Sequence, residues 1–305
     1  MKKMAFIFPG QGAQYSGMGE DFYKTYEVSK KIFDQASEIC GINLPKLCFT
    51  NDDRINETKY TQIAILTTSL AILKVIEKMG YFPSVNAGLS LGEYSALASS
   101  KVISLENIFF LVKKRGQYMQ EAYPCGGAMA AVIGLEAEKV EKICEEEKNQ
   151  GIYIANYNCP RQIVISGKKS VLEKLYNVFE ERGAKMIAPL NVSGPFHSPL
   201  LNKASEQMKG ELERVNINEF NIPYVANVNA KYIYDSTAVK PLLCSQIVSP
   251  VRWKQSVDRM ISQGVETFVE IGPGRTLTNM IKKIDSNVNV INIQNVEDLD
   301  RLERN

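Results

Sequence analysis

The sequence predicts an α/β protein built from one large α/β region and a smaller region inserted into it. Apolar runs followed by glycine turns and amphipathic stretches recur near both ends of the chain, an alternation that is typical of a sheet wrapped by helices. The middle of the chain has a different order of strands and helices. With 305 residues, of which 45% are hydrophobic and 23% charged, the chain can form one large domain or two unequal ones.

Four apolar runs predict the strands of the larger region. They are MAFIF at 4–8, SVNAG at 84–88, ETFVEI at 266–271 and VNVINI at 288–293. Between the first two lies TQIAILTTSLAILKVIEKMG, whose apolar residues on nearly all sides predict a buried helix. Gly80 is expected to form its C-cap, with Pro83 just beyond.

Residues 126–193 predict the inserted region. A strand, a charged helix, two short strands, a second helix and a last strand follow one another there: AMAAVIGL, EAEKVEKICEEEKN, IYIAN, RQIVISG, SVLEKLYNVFEERG and AKMIAPLNVS. This β-α-β-β-α-β order is the ferredoxin-like pattern. Residues 1–125 and 194–305 then form the core domain, and a cleft between the two domains is the expected substrate site.

Composition narrows the classes of function. A formal net charge of +2 gives no general attraction to nucleic acid, and the apolar run before Pro9 is too short for a signal peptide or a membrane span. The cysteines form no CxxC pair and no cluster with the single histidine; they stand at positions 40, 48, 125, 144, 159 and 244. We therefore expect no metal site, no disulfide framework and a reducing cytoplasmic location.

The stretch GLSLG places Ser90 between Gly88 and Gly92, after a predicted strand and before a predicted helix. This G-x-S-x-G context is that of a nucleophile elbow, in which small flanking residues allow a tight turn that exposes the serine. The alternative is a structural turn in which Ser90 serves as a helix N-cap.

A serine nucleophile needs a proton acceptor and donors for an oxyanion. His197 is the only histidine, and it lies in GPFHSP, where the inserted region returns to the core. The backbone N–H of Leu91 is one expected donor, and that of Gln11 in the PGQGAQ loop is the other. The alternative for this loop is phosphate binding, although it lacks both the GxGxxG spacing and a Walker lysine.

Six stretches, in this order along nearly the whole chain, closely resemble the malonyl-CoA:acyl carrier protein transacylases of type II fatty acid synthesis, relatives of polyketide synthase acyltransferase domains. They are FPGQGAQYSGMG, GLSLGEYSAL, RGQYMQ, GPFHS, QIVSPVRW and EIGPGRTL. The resemblance implies an α/β-hydrolase-like core with an inserted ferredoxin-like subdomain. It also implies that Ser90 carries the malonyl group, that His197 is the general base, and that the Gln11 and Leu91 amides form the oxyanion hole.

The resemblance further implies that Arg115 binds the free malonyl carboxylate and that Gln246 lies beside the histidine and orients it. A guanidinium can hold a carboxylate at two points, as a lysine cannot. The alternative places Arg115 with Lys113 and Lys114 on a helix surface.

Two positions beside the expected catalytic residues bear on specificity. Phe196 is a bulky ring that should crowd a branched acyl group, so it favours malonyl over methylmalonyl. Leu89 stands where many relatives have a histidine (GHSxG), which puts a polar role of that position in doubt.

The expected function is therefore a ping-pong transfer of malonyl from malonyl-CoA to the phosphopantetheine thiol of holo acyl carrier protein. We expect a cytoplasmic monomer with no metal or bound cofactor, no nucleic acid and no membrane partner. Three alternatives stay open: a serine hydrolase or thioesterase, a trans-acting polyketide acyltransferase, and a non-catalytic module that binds carrier protein.

Overall fold

The computed structural model describes residues 3–303; residues 1–2 and 304–305, at the ends of the predicted core domain, lie outside the described residues. Residues 3–303 form ten β-strands, β1 to β10, at Lys3–Phe8, Val85–Gly88, Gly127–Ile133, Ile152–Cys159, Gln162–Lys168, Met186–Pro189, Tyr224–Val225, Tyr232–Ile233, Val265–Ile271 and Asn289–Ile293. The same residues form thirteen α-helices, α1 to α13, at Glu20–Thr25, Glu27–Cys40, Leu44–Phe49, Thr58–Lys78, Gly92–Ser99, Leu105–Ala122, Ala137–Glu146, Lys169–Glu181, Asn202–Glu213, Val239–Val248, Trp253–Ser262, Thr276–Ile284 and Asp300–Glu303. The predicted α/β class is confirmed.

The larger sheet has six strands in the order β10-β9-β1-β2-β7-β8. All neighbouring pairs are parallel except β7 and β8. The four strands predicted from the apolar runs are all present, and they are adjacent. Phe8 pairs with Gly88 at the carboxyl ends of β1 and β2, so the loops that follow these strands lie side by side. Ligand sites of parallel sheets lie at this edge.

The smaller sheet has four antiparallel strands in the order β4-β5-β3-β6. The predicted β-α-β-β-α-β order is observed as β3, α7, β4, β5, α8 and β6. Buried residues of both helices, among them Val140 and Phe179, pack with the strands in a separate apolar cluster. The last strand is shorter than predicted, because the chain turns away after Leu190 N donates to Met129 O at 2.9 Å.

Helix α4 runs through the core of the larger region, and most of its residues are buried. This placement explains why apolar residues occur on all sides of the helix. Its C-cap is Met79 rather than Gly80, which follows in a left-handed conformation with a φ of 89°. Among residues 3–303, α4 alone is long and apolar enough to cross a membrane, but 83% of its apolar window is buried within the protein, as in a core helix.

Two contacts near the carboxyl edge of the larger sheet help to fix the smaller sheet in place. The backbone of Val251 accepts from Tyr157 N and donates to Ala155 O, both at 2.8 Å. Where the chain enters and leaves the smaller region, a β-carbon at Gly127 would lie 2.3 Å from Cδ of Pro195. These contacts hold the smaller sheet over the loops that follow β1 and β2.

Candidate active site

Ser90 lies in the turn between β2 and α5 with a φ of 54°, in the left-handed region that is strained for serine. Both flanking glycines are required by close packing. A β-carbon at Gly88 would lie 2.0 Å from the carbonyl of Gly92, and one at Gly92 would lie 2.1 Å from the carbonyl oxygen of Phe8. The turn therefore has the tight strand-to-helix geometry that the G-x-S-x-G spacing predicts.

The alternative role of Ser90 as a helix cap is wrong. The N-cap of α5 is Leu91, and no side chain caps the helix. The Ser90 hydroxyl instead lies 2.7 Å from Nε2 of His197. The main chain of the turn is fixed by Asn227, whose Oδ1 accepts from Ser90 N and whose Nδ2 donates to Gly88 O, both at 2.7 Å.

His197 follows β6 in a loop and is only 4% exposed. Its Nδ1 lies 2.8 Å from the backbone carbonyl oxygen of Gln246. A carbonyl only accepts, so Nδ1 carries the proton and Nε2 is free to accept the proton of Ser90. Burial, and secondly the charge of Arg115, lower the pKa of His197 to about 4. The imidazole is therefore neutral near pH 7, as a general base must be.

Two backbone donors lie beside the serine. Within residues 3–303, the N–H groups of Gln11 and Leu91 have no hydrogen-bond partner. The loops that carry them are pressed together, since a β-carbon at Gly10 would lie 2.4 Å from the carbonyl oxygen of Leu89. The side chain of Gln11 is held away by Thr58, to which its Nε2 donates at 3.1 Å. Such unpartnered N–H groups can stabilise an oxyanion.

Arg115 is buried on α6, with 1% of its surface exposed, whereas the neighbouring lysines are partly exposed. The alternative of a shared helix surface is therefore wrong. Its NH1 donates to Oε1 of Gln62 at 2.6 Å, and its NH2 donates to Oε1 of Gln246 at 2.9 Å and to Oγ of Ser90 at 3.1 Å. These partners are neutral, and among the described residues no carboxylate forms an ion pair with Arg115. Burial lowers its pKa.

Gln246 contacts both His197 and Arg115, the first with its backbone and the second with its side chain. Its backbone carbonyl holds His197, while its side-chain oxygen faces Arg115. The side-chain Nε2 donates to the carbonyl oxygen of Ser90 at 2.9 Å and to Oε2 of Glu93 at 2.5 Å. Gln246 is thus beside the histidine, as the resemblance implies, but it does not line the cavity.

A cavity of about 260 Å³ opens in front of these groups. Ser90, His197 and Arg115 line it, with Phe196 and Gln11. Its walls come from both sheets, because the smaller sheet contributes Met129, Ala131, Asn156, Asn158 and Gln162. The expected cleft between the two regions is therefore present. Leu89 lines it as an apolar side chain, in keeping with its lack of a polar role.

Several residues of the site are not identified by the sequence analysis. Gln62 is a polar residue within the apolar run TQIAIL, and that contrast was a usable signal. Asn227 and Glu93 carry no comparable signal, since their partners come from distant parts of the chain. The same holds for Asn156 and Asn158, which lie on β4 and face the cavity.

Residues 3–303 contain no group of three or more His, Cys, Asp and Glu side chains that could hold a metal ion. All six cysteines are free. The chemistry that the described side chains can perform is nucleophilic attack by a serine, with an imidazole as base and a buried cation beside it.

The acyl transferase domain family matches residues 5–304. The malonyl CoA-acyl carrier protein transacylase of Bacillus subtilis (strain 168) is 40% identical over 304 residues, which cover 98% of this chain and 96% of the relative. The crystal structure of the corresponding Clostridium perfringens protein superposes with a TM-score of 0.95 at 42% identity, covering 99% of this chain and 96% of the other. A malonyl-transacylase solved in complex with a type II PKS acyl-carrier protein has a TM-score of 0.96 at 37% identity, covering 99% and 100%.

Proposed function

Because the chain belongs to the family of acyl transferase domains, we propose that Ser90 is the residue that carries the acyl group between donor and acceptor. The enzyme transfers the malonyl group of malonyl-CoA to acyl carrier protein in fatty acid or polyketide synthesis. The carrier protein is accordingly its macromolecular partner. The roles of individual residues, by contrast, rest on the geometry of the site.

One observation carries the assignment of roles. The Ser90 hydroxyl lies 2.7 Å from the accepting nitrogen of His197 and 3.1 Å from the guanidinium of Arg115. A base and a fixed cation thus converge on one nucleophile. A hydrolase of neutral acyl groups would have no use for the cation, whereas a malonyl transferase must bind a free carboxylate close to the reacting carbonyl.

In the first half-reaction, His197 Nε2 takes the proton of Ser90 as Oγ attacks the thioester carbonyl of malonyl-CoA. The negative charge that develops on the carbonyl oxygen is stabilised by the N–H groups of Gln11 and Leu91. When the C–S bond breaks, the coenzyme A thiolate takes the proton back from His197. The malonyl group is then an ester of Ser90.

In the second half-reaction, the phosphopantetheine thiol of the carrier protein gives its proton to His197 and attacks the ester carbonyl. The same two N–H groups stabilise the second oxyanion. When the C–O bond breaks, Ser90 Oγ takes the proton from His197, and the free enzyme is restored. The histidine therefore acts as base and as acid once in each half-reaction.

Arg115 supplies selectivity in this scheme. Its neutral partners Gln62 and Gln246 hold the guanidinium in place but leave its charge for the substrate. A malonyl carboxylate contacts that charge directly, whereas an acetyl group leaves the buried guanidinium without a carboxylate in contact. Phe196, buried in the cavity wall, restricts branching at the α-carbon.

The remaining proposals concern the setting of the enzyme. The sheet orders support an α/β-hydrolase-like core, residues 1–125 and 194–305, with a ferredoxin-like subdomain at 126–193. We propose that the enzyme acts in the cytoplasm as a monomer, without metal, bound cofactor, nucleic acid or membrane.

The test is the intact mass of the protein after mixing with malonyl-CoA, followed by addition of holo acyl carrier protein. We expect one malonyl adduct, absent in Ser90→Ala, that moves to the carrier protein. Loss of the adduct to water at the same rate would favour the hydrolase or thioesterase. Absence of an adduct would favour the non-catalytic binding module. Comparing carrier proteins of the two pathways separates a fatty acid enzyme from a trans-acting polyketide acyltransferase.

A further inference from the structure

Glu93 is a buried carboxyl group that the proposed mechanism does not use. It lies on α5, one helical turn beyond Ser90, and is 0% exposed. Its Oε2 accepts from Nε2 of Gln246 at 2.5 Å and from the backbone N of Asn227 at 3.4 Å. The same glutamine presents its Oε1 to Arg115 at 2.9 Å. A single side-chain amide therefore bridges a buried carboxyl group and the buried guanidinium.

Neither charge has another partner of opposite sign in contact. Among residues 3–303, neither Glu93 nor Arg115 forms an ion pair within 4 Å. The side chain of Tyr224 lies beside Glu93: burial, and secondly the charge of Glu93, raise the pKa of Tyr224 well above its usual range. The other titratable group coupled to Glu93 is Tyr94, on its own helix.

Burial raises the pKa of Glu93 to about 7, while the hydrogen bond from Gln246 and the charge of Arg115 oppose this shift. The carboxyl group is thus placed so that a modest change in nearby charge alters its protonation.

We propose that Glu93 is a positioning residue for substrate selection, which supplies the internal counter-charge of Arg115 and takes up one proton when a substrate carboxylate binds to that arginine. The inference rests on the proposed function, because it requires a malonyl substrate. No electron transfer is involved, and the proton comes from solvent.

The physical reason is the balance of charge in a buried site. With malonyl bound, two carboxylates would share one guanidinium out of contact with water, and like charges this close disfavour each other's ionised form. The substrate carboxylate contacts Arg115 directly, whereas Glu93 reaches it through Gln246, so Glu93 is the group that becomes protonated. An acetyl group brings no charge and causes no proton uptake.

The consequence is a preference for malonyl that depends on pH. Well below pH 7 Glu93 is protonated in the free enzyme, and the preference is constant. Above pH 7 malonyl binding must draw a proton from solvent, so the preference falls, by at most about tenfold per pH unit for one proton.

The experiment measures the competition between malonyl-CoA and acetyl-CoA for Ser90 from pH 6 to pH 9. Ionisation of the coenzyme A phosphates and of His197 is common to both substrates and cancels in the ratio. We expect the ratio to fall at least fivefold between pH 7 and pH 9 in the wild type. In Glu93→Gln, which keeps an oxygen for Gln246 but cannot ionise, the ratio should be constant.

Glu270→Gln is the matched control. Glu270 is also 0% exposed and its pKa is also raised by burial, but its carboxylate accepts from Leu277 N, Thr278 N and the Thr278 hydroxyl at the start of α12. This variant should keep the pH dependence of the wild type. A constant ratio in the wild type, or an unchanged slope in Glu93→Gln, would overturn the proposal.

A second measurement does not depend on the folding of Glu93→Gln. Calorimetry of malonyl-CoA binding to Ser90→Ala at pH 8, in two buffers of different ionisation enthalpy, counts the protons taken up. We expect malonyl-CoA to take up more protons than acetyl-CoA, by a difference close to one; equal counts would contradict the proposal. Failure of the proposed function looks different, because then no malonyl adduct forms at any pH.

Discussion

The nucleophile and the cation of the site are held in different ways. Ser90 and His197 are fixed through the main chain: both have a left-handed φ, and the imidazole is anchored by a backbone carbonyl. Arg115 is fixed through side chains, by the amide oxygens of Gln62 and Gln246. The reaction chemistry therefore rests on backbone geometry, and the recognition of a carboxylate rests on exchangeable side chains.

Selectivity and reactivity should therefore be separable by mutation. A change among the glutamines that hold Arg115 alters which acyl group is accepted, while the Ser90–His197 pair stays in place. Gln246 is the exception, because its side chain also donates to the carbonyl oxygen of Ser90.

Ser90→Ala and His197→Ala should have the largest effect. Each removes an atom that takes part in both half-reactions, so transfer should fall by about a thousandfold or more for malonyl-CoA and acetyl-CoA alike. The measurement is kcat/KM for both substrates. A loss of transfer confined to one of the two substrates would contradict the shared role of Ser90 and His197 in both reactions.

Gln246→Ala should affect both groups, but unequally. Transfer of malonyl should fall about thirtyfold more than transfer of acetyl, since loss of the acceptor for a buried guanidinium costs about 2 kcal/mol and affects only the recognition of a carboxylate. Transfer of acetyl should fall about fivefold, because the carbonyl oxygen of Ser90 loses a donor worth about 1 kcal/mol. Unchanged transfer rates would show that the Gln246 side chain positions neither Ser90 nor Arg115.

Gln62→Ala should affect recognition alone. We expect malonyl transfer to fall about fivefold, or about 1 kcal/mol, because the substrate carboxylate can partly replace the lost acceptor. Acetyl transfer should not change. The matched control is Gln120→Ala, since Gln120 also links α6 to α4, accepting from Lys59 N at 3.1 Å away from the cavity. An equal fall in transfer for both substrates would contradict the separation of carboxylate recognition from the reaction chemistry.

The smallest expected effect is that of pH on the rate of acylation of Ser90. The pKa of His197 is lowered to about 4, so its neutral form predominates from pH 5 upward. At saturating malonyl-CoA, the acylation rate should change less than about twofold between pH 5 and pH 6.5. A histidine of ordinary pKa would lose more than about tenfold over that interval. Single-turnover measurements of the Ser90 adduct distinguish these outcomes.

The sequence predicts the part of the site that is fixed by the main chain better than the part that is fixed by side chains. Gly88 and Gly92 give a local signal because close packing excludes a β-carbon at both positions. Arg115 is assigned only through resemblance, since its partners come from α4 and α10 and leave no local pattern. Asn227 and Glu93 also cannot be identified from the sequence, because their partners lie in distant parts of the chain.

The elements of the fold also differ in how well the sequence predicts them. The predicted strands are regular apolar runs, and all of them are present. None of the helices α1 to α3 and α9 to α13 is predicted from the sequence. Several of them are short or bury only one side, so their stability depends on packing that the sequence does not display.

The Arg115→Lys variant tests whether recognition of the carboxylate is separate from the reaction chemistry. The measurement is the ratio of malonyl to acetyl adducts on Ser90 after brief exposure to equal concentrations of the two coenzyme A esters at pH 6.5. We predict a strong malonyl excess in the wild type, and a ratio lowered about a hundredfold in the variant with the acetylation rate preserved. An unchanged ratio, or loss of both adducts together, would contradict the separation of recognition from chemistry.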